Sequence, residues 1–416
     1  MFWPKLSPQK VKLRMFEALS KNANYRSEYI LGIPGTHLDT EVFYDDAPFL
    51  KDAPFLSMFI ANPNNIGCHT LEGEHEDIFK GSQEIELDLL RICAEEIFSA
   101  GKGQYDGYVA SGGTEANIEA LWIYRNYFVM ENGARPEQIA VINSGDAHYS
   151  FPKACNLLSL KQIVIGVDNN TREMNIGELE QKIHAAIQDG IRYFIVVANL
   201  STTLFGSVDD IDKITNVLNL FHLNYKLHVD ASYGGFIYPF TNADSRYNFR
   251  NPNVSSITMD GHKMLQAPYG TGIFLVRKDM MANVSTKEAS YINGGDFTLS
   301  GSRSGANAAC VWMILHMHGS VAWSVKMNQL LNKTLAVCNA LNDMGIEYYR
   351  NPFLNIIAIK SKFVSPALAK QFYLVPDSHH KPLWYKLVMM PQVKEGIVEQ
   401  FLSQLGNDLL YKRLEK

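Results

Sequence analysis

The sequence lacks a long apolar run: no uninterrupted stretch approaches the ~20 residues of a membrane-spanning helix. Its first residues, MFWPKLSPQKVKLRMF, carry charges and prolines where a signal peptide needs an apolar core. The expectation is a soluble cytoplasmic protein with no membrane partner. Basic tracts and repeats are also missing. There are 38 Lys and Arg against 43 Asp and Glu, a formal charge of −5, and the aromatic residues are scattered rather than interleaved with basic ones. That composition argues against a nucleic-acid partner. Cysteine is scarce: Cys68, Cys93, Cys155, Cys310 and Cys338 are odd in number, widely spaced and without a CxxC pair. They read as reduced core thiols, neither a disulfide frame nor a zinc site. The pair His379-His380 has no spaced carboxylate or cysteine beside it and reads as a surface loop, so no metal is expected. What remains is an ordinary globular chain of 416 residues, 46% hydrophobic, with room for two or three domains.

Against this background one stretch carries chemistry. Ser256 to Met259 reads as a short buried strand, the chain turns at Gly261, and Ala267-Pro268-Tyr269-Gly270-Thr271-Gly272 returns it into a strand at Ile273 to Val276. Lys263 therefore sits on a turn between two rigid elements, beside His262. A cationic neighbour lowers a lysine pKa and leaves more free amine to condense with an aldehyde. Upstream, Leu227 to Gly235 is a buried-strand pattern that puts Asp230 at a strand's carboxyl edge. Ligands of open α/β sheets sit there, and a carboxylate in that position can keep a pyridine nitrogen protonated. Earlier still, the strand Tyr108-Val109-Ala110 runs through Ser111-Gly112-Gly113-Thr114 into an apolar-periodic helix, Glu115 to Met130. Free amides at that helix start, with the positive end of its dipole, form an anion site. The two glycines let a phosphate approach, and the Ser111 and Thr114 hydroxyls can donate to it.

These motifs resemble the fold-type I pyridoxal-phosphate enzymes, and specifically the group II amino acid decarboxylases. The resemblance rests on the Asp230-Ala231-Ser232 strand end, the Asp260-Gly261-His262-Lys263 turn and the Gly-Gly-Thr-Glu-Ala-Asn loop, and covers the chain from about residue 60. It implies pyridoxal 5'-phosphate as cofactor, with Lys263 as its covalent anchor, Asp230 at the ring nitrogen, and Ser111, Gly112, Gly113 and Thr114 at the phosphate. In Ser144-Gly145-Asp146-Ala147-His148-Tyr149-Ser150 it implies that His148 stacks on the ring and orients the substrate carboxylate. In the segment Asn199 to Ile211 it puts a threonine near the ring hydroxyl, with Thr203 the better match and Thr202 the runner-up. Ser232 and His262 complete the expected cofactor contacts. Asp209 and Asp210 read as helix caps.

The Gly- and Ser-rich segment Tyr291 to Gly305 reads as a mobile loop ending at a helix. It is similar to the corresponding region of bacterial histidine and plant serine decarboxylases, with some likeness to archaeal tyrosine/aspartate decarboxylases. There the resemblance implies a homodimer, with Tyr291 protonating the substrate Cα, Ser302 reaching the partner's phosphate, and Arg303 pairing with a carboxylate or bracing the loop. Ser201 stands for the family's glycine, Ser232 for its alanine, and Pro268 to Gly272 for a Pro-x-Pro-Cys-Gly pattern.

Strands at Ile139 to Asn143, Gln162 to Val167 and Tyr193 to Ala198, and helices at Ser82 to Ser99 and Ile176 to Gln188, give the alternation of a mostly parallel sheet with helices on both faces. The expected division is an arm at 1–55, opening with a helix at Pro8 to Asn22, a large cofactor-binding domain at 56–304, and a small α+β domain at 305–416. The last comprises two helical runs, strands at Asn355 to Lys360 and Trp384 to Met390, and a helix from Val393. Polar residues in Met58 to Glu76 are candidates for a substrate entrance. The expected activity is α-decarboxylation of an L-amino acid, histidine-decarboxylase-like. A retro-aldol lyase of the sphingosine-phosphate type, a cysteine desulfurase or aminotransferase, and a noncatalytic binding protein are the alternatives.

Overall fold

The computed structural model describes Tyr29, Leu31 and residues 64–66, 80–286 and 295–414. The arm helix expected at Pro8 to Asn22 and the loop residue Tyr291 lie outside the described residues, as does Met58 to Glu76 except for Asn64–Ile66.

A short strand β1 (Asn64–Ile66) and helix α1 (Lys80–Arg91) precede the main sheet. Six of its strands are separated by helices or loops in the order β2 (Tyr105–Ala110), α2 (Gly113–Asn132), β3 (Ile139–Ser144), α3 (Ser150–Leu158), β4 (Lys161–Ile165), α4 (Ile176–Gln188), β5 (Tyr193–Asn199), α5 (Ile211–Leu220), β6 (Asn224–Asp230) and β7 (Val254–Asp260). The seventh, β8 (Gly272–Arg277), lies between β2 and β7 and is antiparallel to both. The sheet order is β2-β8-β7-β6-β5-β3-β4, and all pairs not involving β8 are parallel. All strands but β8 therefore end at one edge, and β8 begins there. That is why the turn bearing Lys263 and the ends of β2, β3, β5 and β6 meet.

Alternation divides the sheet's side chains between two cores. Ile195 and Val197 of β5 join α2 and α3 on one face; Phe194, Val196 and Ala198 join α1, α4 and α5 on the other. Because both faces are covered, the central strands are buried along nearly their whole length, as parallel strands must be when crossover helices flank them. The exceptions to apolarity are systematic. His228 and Asp230 of β6 alternate with Leu227 and Val229, and Ser256, Thr258 and Asp260 of β7 alternate with Ile257 and Met259. The pairing register aligns His228 with Ser256 and Asp230 with Thr258. A polar stripe thus crosses two buried strands on the face covered by α2.

Beyond the sheet, β9 (Ser302–Ser304) pairs with β1, so the expected mobile loop is extended and strand-paired at these three residues before helix α6 (Gly305–Asp343) begins. Arg303 is buried there in an ion pair with Glu86 of α1, its second guanidinium nitrogen 3.1 Å from the carboxylate. Gly319, at φ 63°, breaks α6 into the two helical runs read from sequence. By length and composition alone α6 qualifies as a membrane span. Within the fold, however, the Trp312 and Trp323 indoles donate to Asp88 and to the Phe236 carbonyl. A second, antiparallel sheet follows, with order β10-β11-β13-β12: β10 (Tyr348–Tyr349), β11 (Ile356–Lys360), β12 (Val375–Pro376) and β13 (Trp384–Val388). Helices α7 (Pro366–Gln371) and α8 (Glu395–Leu414) accompany it.

Of the two expected helix caps, one is a cap and one is not. Asp210 caps α5 by accepting the Lys213 amide. Asp209 instead points inward, where its buried carboxylate accepts from the amides of Met174 and Asn199 and from the Asn199 side chain. Burial pushes it up to about 6. Two residues after β5, Ser201 adopts φ 86° in the left-handed region, so this chain keeps the backbone of a glycine with a serine in place. The Ser201 hydroxyl is buried without a hydrogen-bond partner. An L-residue in that region costs roughly 1–2 kcal/mol. Ser201→Gly is therefore expected to stabilise the protein by about 1 kcal/mol and raise the melting temperature by about 2 °C. A lower melting temperature in a thermal scan contradicts this.

Candidate active site

The site forms at the common edge of the strands. Lys263 follows β7 by one short turn, and its Nζ lies 3.1 Å from Asp260 Oδ2. His262 Nε2 is 3.7 Å from the same oxygen. Burial, first of all, holds His262 below its ordinary value, against the pull of Asp260. The expected activation of Lys263 by a cationic His262 is therefore not what the geometry offers: the charge beside the amine is the Asp260 carboxylate.

The Gly112–Thr114 segment opens α2 without any side chain capping its first amides. Gly112 has φ 154°, and a Cβ on Gly113 would stand 2.6 Å from Ser232 Oγ and 2.9 Å from Asp260 Oδ2. On the neighbouring strand, a Cβ at Gly272 would approach the Gly112 carbonyl carbon to 2.4 Å. Glycine is needed at these close approaches, and the uncapped amides form an anion cradle. The Ser111 hydroxyl donates to Glu115 at 2.5 Å, so its proton is already engaged. Ser111, Gly112, Gly113, Thr114, His262 and Lys263 all line one cavity of about 360 Å³, with His148 and Ser232 on its wall. A second cavity of about 490 Å³ shares His148 and Tyr149 with the first and continues past Thr203, Leu204 and Phe205 to Arg172. On its outer wall Arg172 pairs with Asp146 at 2.7 Å and stacks 3.9 Å from the Phe205 ring centroid.

Asp230 lies beneath the junction, 6% exposed. Its Oδ1 accepts from the Ser232 amide at 3.1 Å and hydroxyl at 2.5 Å, and its Oδ2 accepts from Asn117 Nδ2 at 3.1 Å. Burial raises a carboxyl pKa, yet the Lys263 charge and the Ser232 donors outweigh it and hold Asp230 below its ordinary value. Ser232, where the family resemblance expects alanine, thus adds a hydroxyl donor to this carboxylate. Thr203 is exposed to the cavity, whereas Thr202 is buried and tied to Ser207 at 2.7 Å; the geometry favours Thr203 of the two. Tyr269 of the divergent Pro268–Gly272 turn also lines the cavity, its ring 5.1 Å from His262. Ser302 is exposed on β9 and is not among the residues lining these cavities.

Several groups here were not singled out in the sequence. Asn117, His228 and Ser256 belong to the polar stripe and the helix above it. Their signal was a polar residue at every second position of otherwise apolar buried strands. Lys386 of β13 was missed as well. It is 3% exposed and pushed down to about 8, by burial first and then by the charge of Lys263. The face of the second sheet that carries it rests on the Thr203–Gly206 segment, through Trp384 against Phe205 at 5.4 Å between ring centroids. His379 and His380 are exposed and are not among the residues lining these cavities.

A primary amine and an anion cradle around one cavity, with a buried ionised carboxylate in an adjoining pocket that shares the amine, fit the aldehyde, the phosphate and the pyridine nitrogen of pyridoxal phosphate. Comparison with known proteins decides the matter. The profile described as "Pyridoxal-dependent decarboxylase conserved domain" matches residues 83–346. The chain belongs to the pyridoxal-dependent decarboxylases. A tryptophan decarboxylase of Clostridium sporogenes is 46% identical to it over 405 residues, 97% of each chain. A probable L-tyrosine/L-aspartate decarboxylase of Methanosphaera stadtmanae is 32% identical over 384 residues, 88% of this chain and 95% of the relative. Among solved structures, a Burkholderia pseudomallei sphingosine-1-phosphate lyase superposes with a TM-score of 0.77 at 19% identity, covering 98% of this chain and 92% of the other. At that identity the likeness shows the fold alone, which is fold-type I. The decarboxylase acts on an amino acid and uses pyridoxal phosphate, which when bound supplies an aldehyde for amine condensation and a ring that takes up an electron pair.

Borohydride reduction of the loaded decarboxylase, followed by peptide mass spectrometry, is expected to find the cofactor on Lys263 and on no peptide of Lys263→Ala. Attachment to another lysine contradicts the assignment.

Proposed function

We propose that this decarboxylase removes the α-carboxyl group of an aromatic L-amino acid, with L-tryptophan as the first candidate. The observation that carries the proposal is the 46% identity, along nearly the whole of both chains, to a tryptophan decarboxylase. The walls of the larger cavity support it: Phe205, Leu204 and Tyr149 offer apolar and aromatic surface beside His148. The histidine-like substrate expected from the motifs alone yields to this reading.

In the proposed arrangement Lys263 would hold the cofactor aldehyde through its amine. The Gly112–Thr114 amides hold the phosphate. Asp230, kept ionised, would hold a proton on the ring nitrogen, and the cofactor so held would supply an electron sink. His148 and Thr203 face the substrate carboxylate and the ring. Protonation at Cα is assigned to Tyr291. The exposed Tyr149 and Tyr269, at 63% and 68%, support a second copy of the chain closing the mouth, with Ser302 at that boundary. No observation favours the desulfurase alternative: burial raises both Cys310, to about 11, and Cys338, and each lies within α6.

Purified holoprotein given L-tryptophan is expected to release equimolar carbon dioxide and tryptamine. Its kcat/KM should exceed that for L-histidine or L-aspartate by about tenfold or more, the scale of discrimination a shaped apolar pocket provides. Turnover of histidine or aspartate but not tryptophan overturns the substrate proposal and leaves the family intact.

A further inference from the structure

The polar stripe beneath α2 leads to a side chain to which the decarboxylation chemistry just described gives no role. Asn117, one turn into α2, is fully buried, and each of its polar atoms has a partner. Nδ2 donates to Asp230 Oδ2 at 3.1 Å and to Ser150 Oγ at 2.9 Å, and Oδ1 lies 3.0 Å from His228 Nε2. Asp230 is ionised and can only accept, so the amide cannot turn over without setting its oxygen against a carboxylate. His228 must therefore donate from Nε2, and its Nδ1 accepts the Ser256 hydroxyl at 2.6 Å. Burial keeps His228 neutral, near 4, in agreement with that pattern.

The same orientation acts in the other direction. Ser150 Oγ already accepts from Asn117, so its own proton goes to the remaining partner, His148 Nδ1, at 3.0 Å. The Ser150 amide donates to that same nitrogen at 3.2 Å. With Nδ1 an acceptor twice over, the proton of the neutral imidazole lies on Nε2. We propose that Asn117 is a positioning residue for both groups that flank the ring site: it anchors Asp230 and, through Ser150, holds His148 in the tautomer that presents Nε2–H to the cavity. His148 is then a hydrogen-bond donor toward a substrate carboxylate and not a base. The inference rests on the reading of His148 as a residue facing cofactor and substrate.

Protonating His148 would turn Nδ1–H against the Ser150 amide and force the Ser150 hydroxyl away from its partner. The charged groups around His148 are mixed. Asp230 from β6 and Asp260 from β7 favour the imidazolium; Lys263 after β7 and Lys153 of α3 oppose it, and burial outweighs them all. Farther out, the Asp146–Arg172 pair and Asp377 line the rim, and His262 and Glu115 face the shared cavity.

The test uses the holoprotein, following the pH dependence of kcat/KM and of the visible cofactor absorption. Ser150→Ala removes one donor that favours neutral His148, so the acid limb is expected to move to higher pH by about half a unit to one unit, a three- to tenfold change in proton affinity. Ser150→Thr, which keeps the hydroxyl, should retain the native limb. Asn117→Leu should shift the limb in the same direction and also alter the absorption spectrum, because Asp230 loses a donor. An acid limb in Ser150→Ala that is unchanged or displaced downward overturns the inference, whatever the melting temperature of the variants. His148→Gln separates the two levels: native activity and a native limb in that variant remove the role of His148 and the inference together. An altered His148→Gln beside a native Ser150→Ala removes the inference alone.

Discussion

A carboxylate that stays ionised inside the protein is the constraint around which this structure is arranged. Stripping water from a charge costs several kcal/mol unless hydrogen bonds and a countercharge replace it. Asp230 receives those replacements from three different elements: the Ser232 amide and hydroxyl just beyond its own strand, the Asn117 amide from the helix above, and the charge of Lys263 from the neighbouring turn. The last is also the amine proposed to hold the cofactor aldehyde, so the interaction that keeps the acid ionised ties it electrostatically to that amine.

The sheet makes that arrangement possible. Parallel pairing of β3, β5, β6 and β7 brings their carboxyl ends to one edge, and antiparallel β8 returns the chain there through the turn that holds Lys263. Strict side-chain alternation then sorts the strands: apolar residues fill both cores, and His228, Asp230, Ser256, Thr258 and Asp260 form one polar stripe under α2. Each member of the stripe would be costly if left unpaired. The register of β6 on β7 sets His228 beside Ser256, and Asn117 of α2 closes the set from above.

Most of this architecture was legible in the sequence because it is written in local patterns. The helix Ile176–Gln188 and the strands that end at Asp230 and Asp260, with their alternating apolar residues, were all read from the sequence. What was not legible depends on residues distant in sequence. Asp209 and Asp210 look alike as adjacent acids at a helix start, yet only Asp210 caps it, because Asp209 is drawn inward by the amides of Met174 and Asn199. His262 looked cationic beside Lys263, but burial, which sequence does not report, keeps it below its ordinary value. Lys386 reads as an ordinary strand lysine until the second sheet folds its face onto the Thr203–Gly206 segment. Substrate choice was least legible of all, since the walls around His148 are assembled from the ends of three strands and loops.

The central claim is that Asp230 keeps a proton on the cofactor's ring nitrogen. It is tested most directly by loading the native protein and Asp230→Asn with pyridoxal phosphate labelled with nitrogen-15 in the ring, and reading the ring-nitrogen chemical shift at neutral pH. The account predicts the shift of a protonated pyridinium in the native protein and of an unprotonated pyridine in Asp230→Asn. The same shift in both proteins would contradict it.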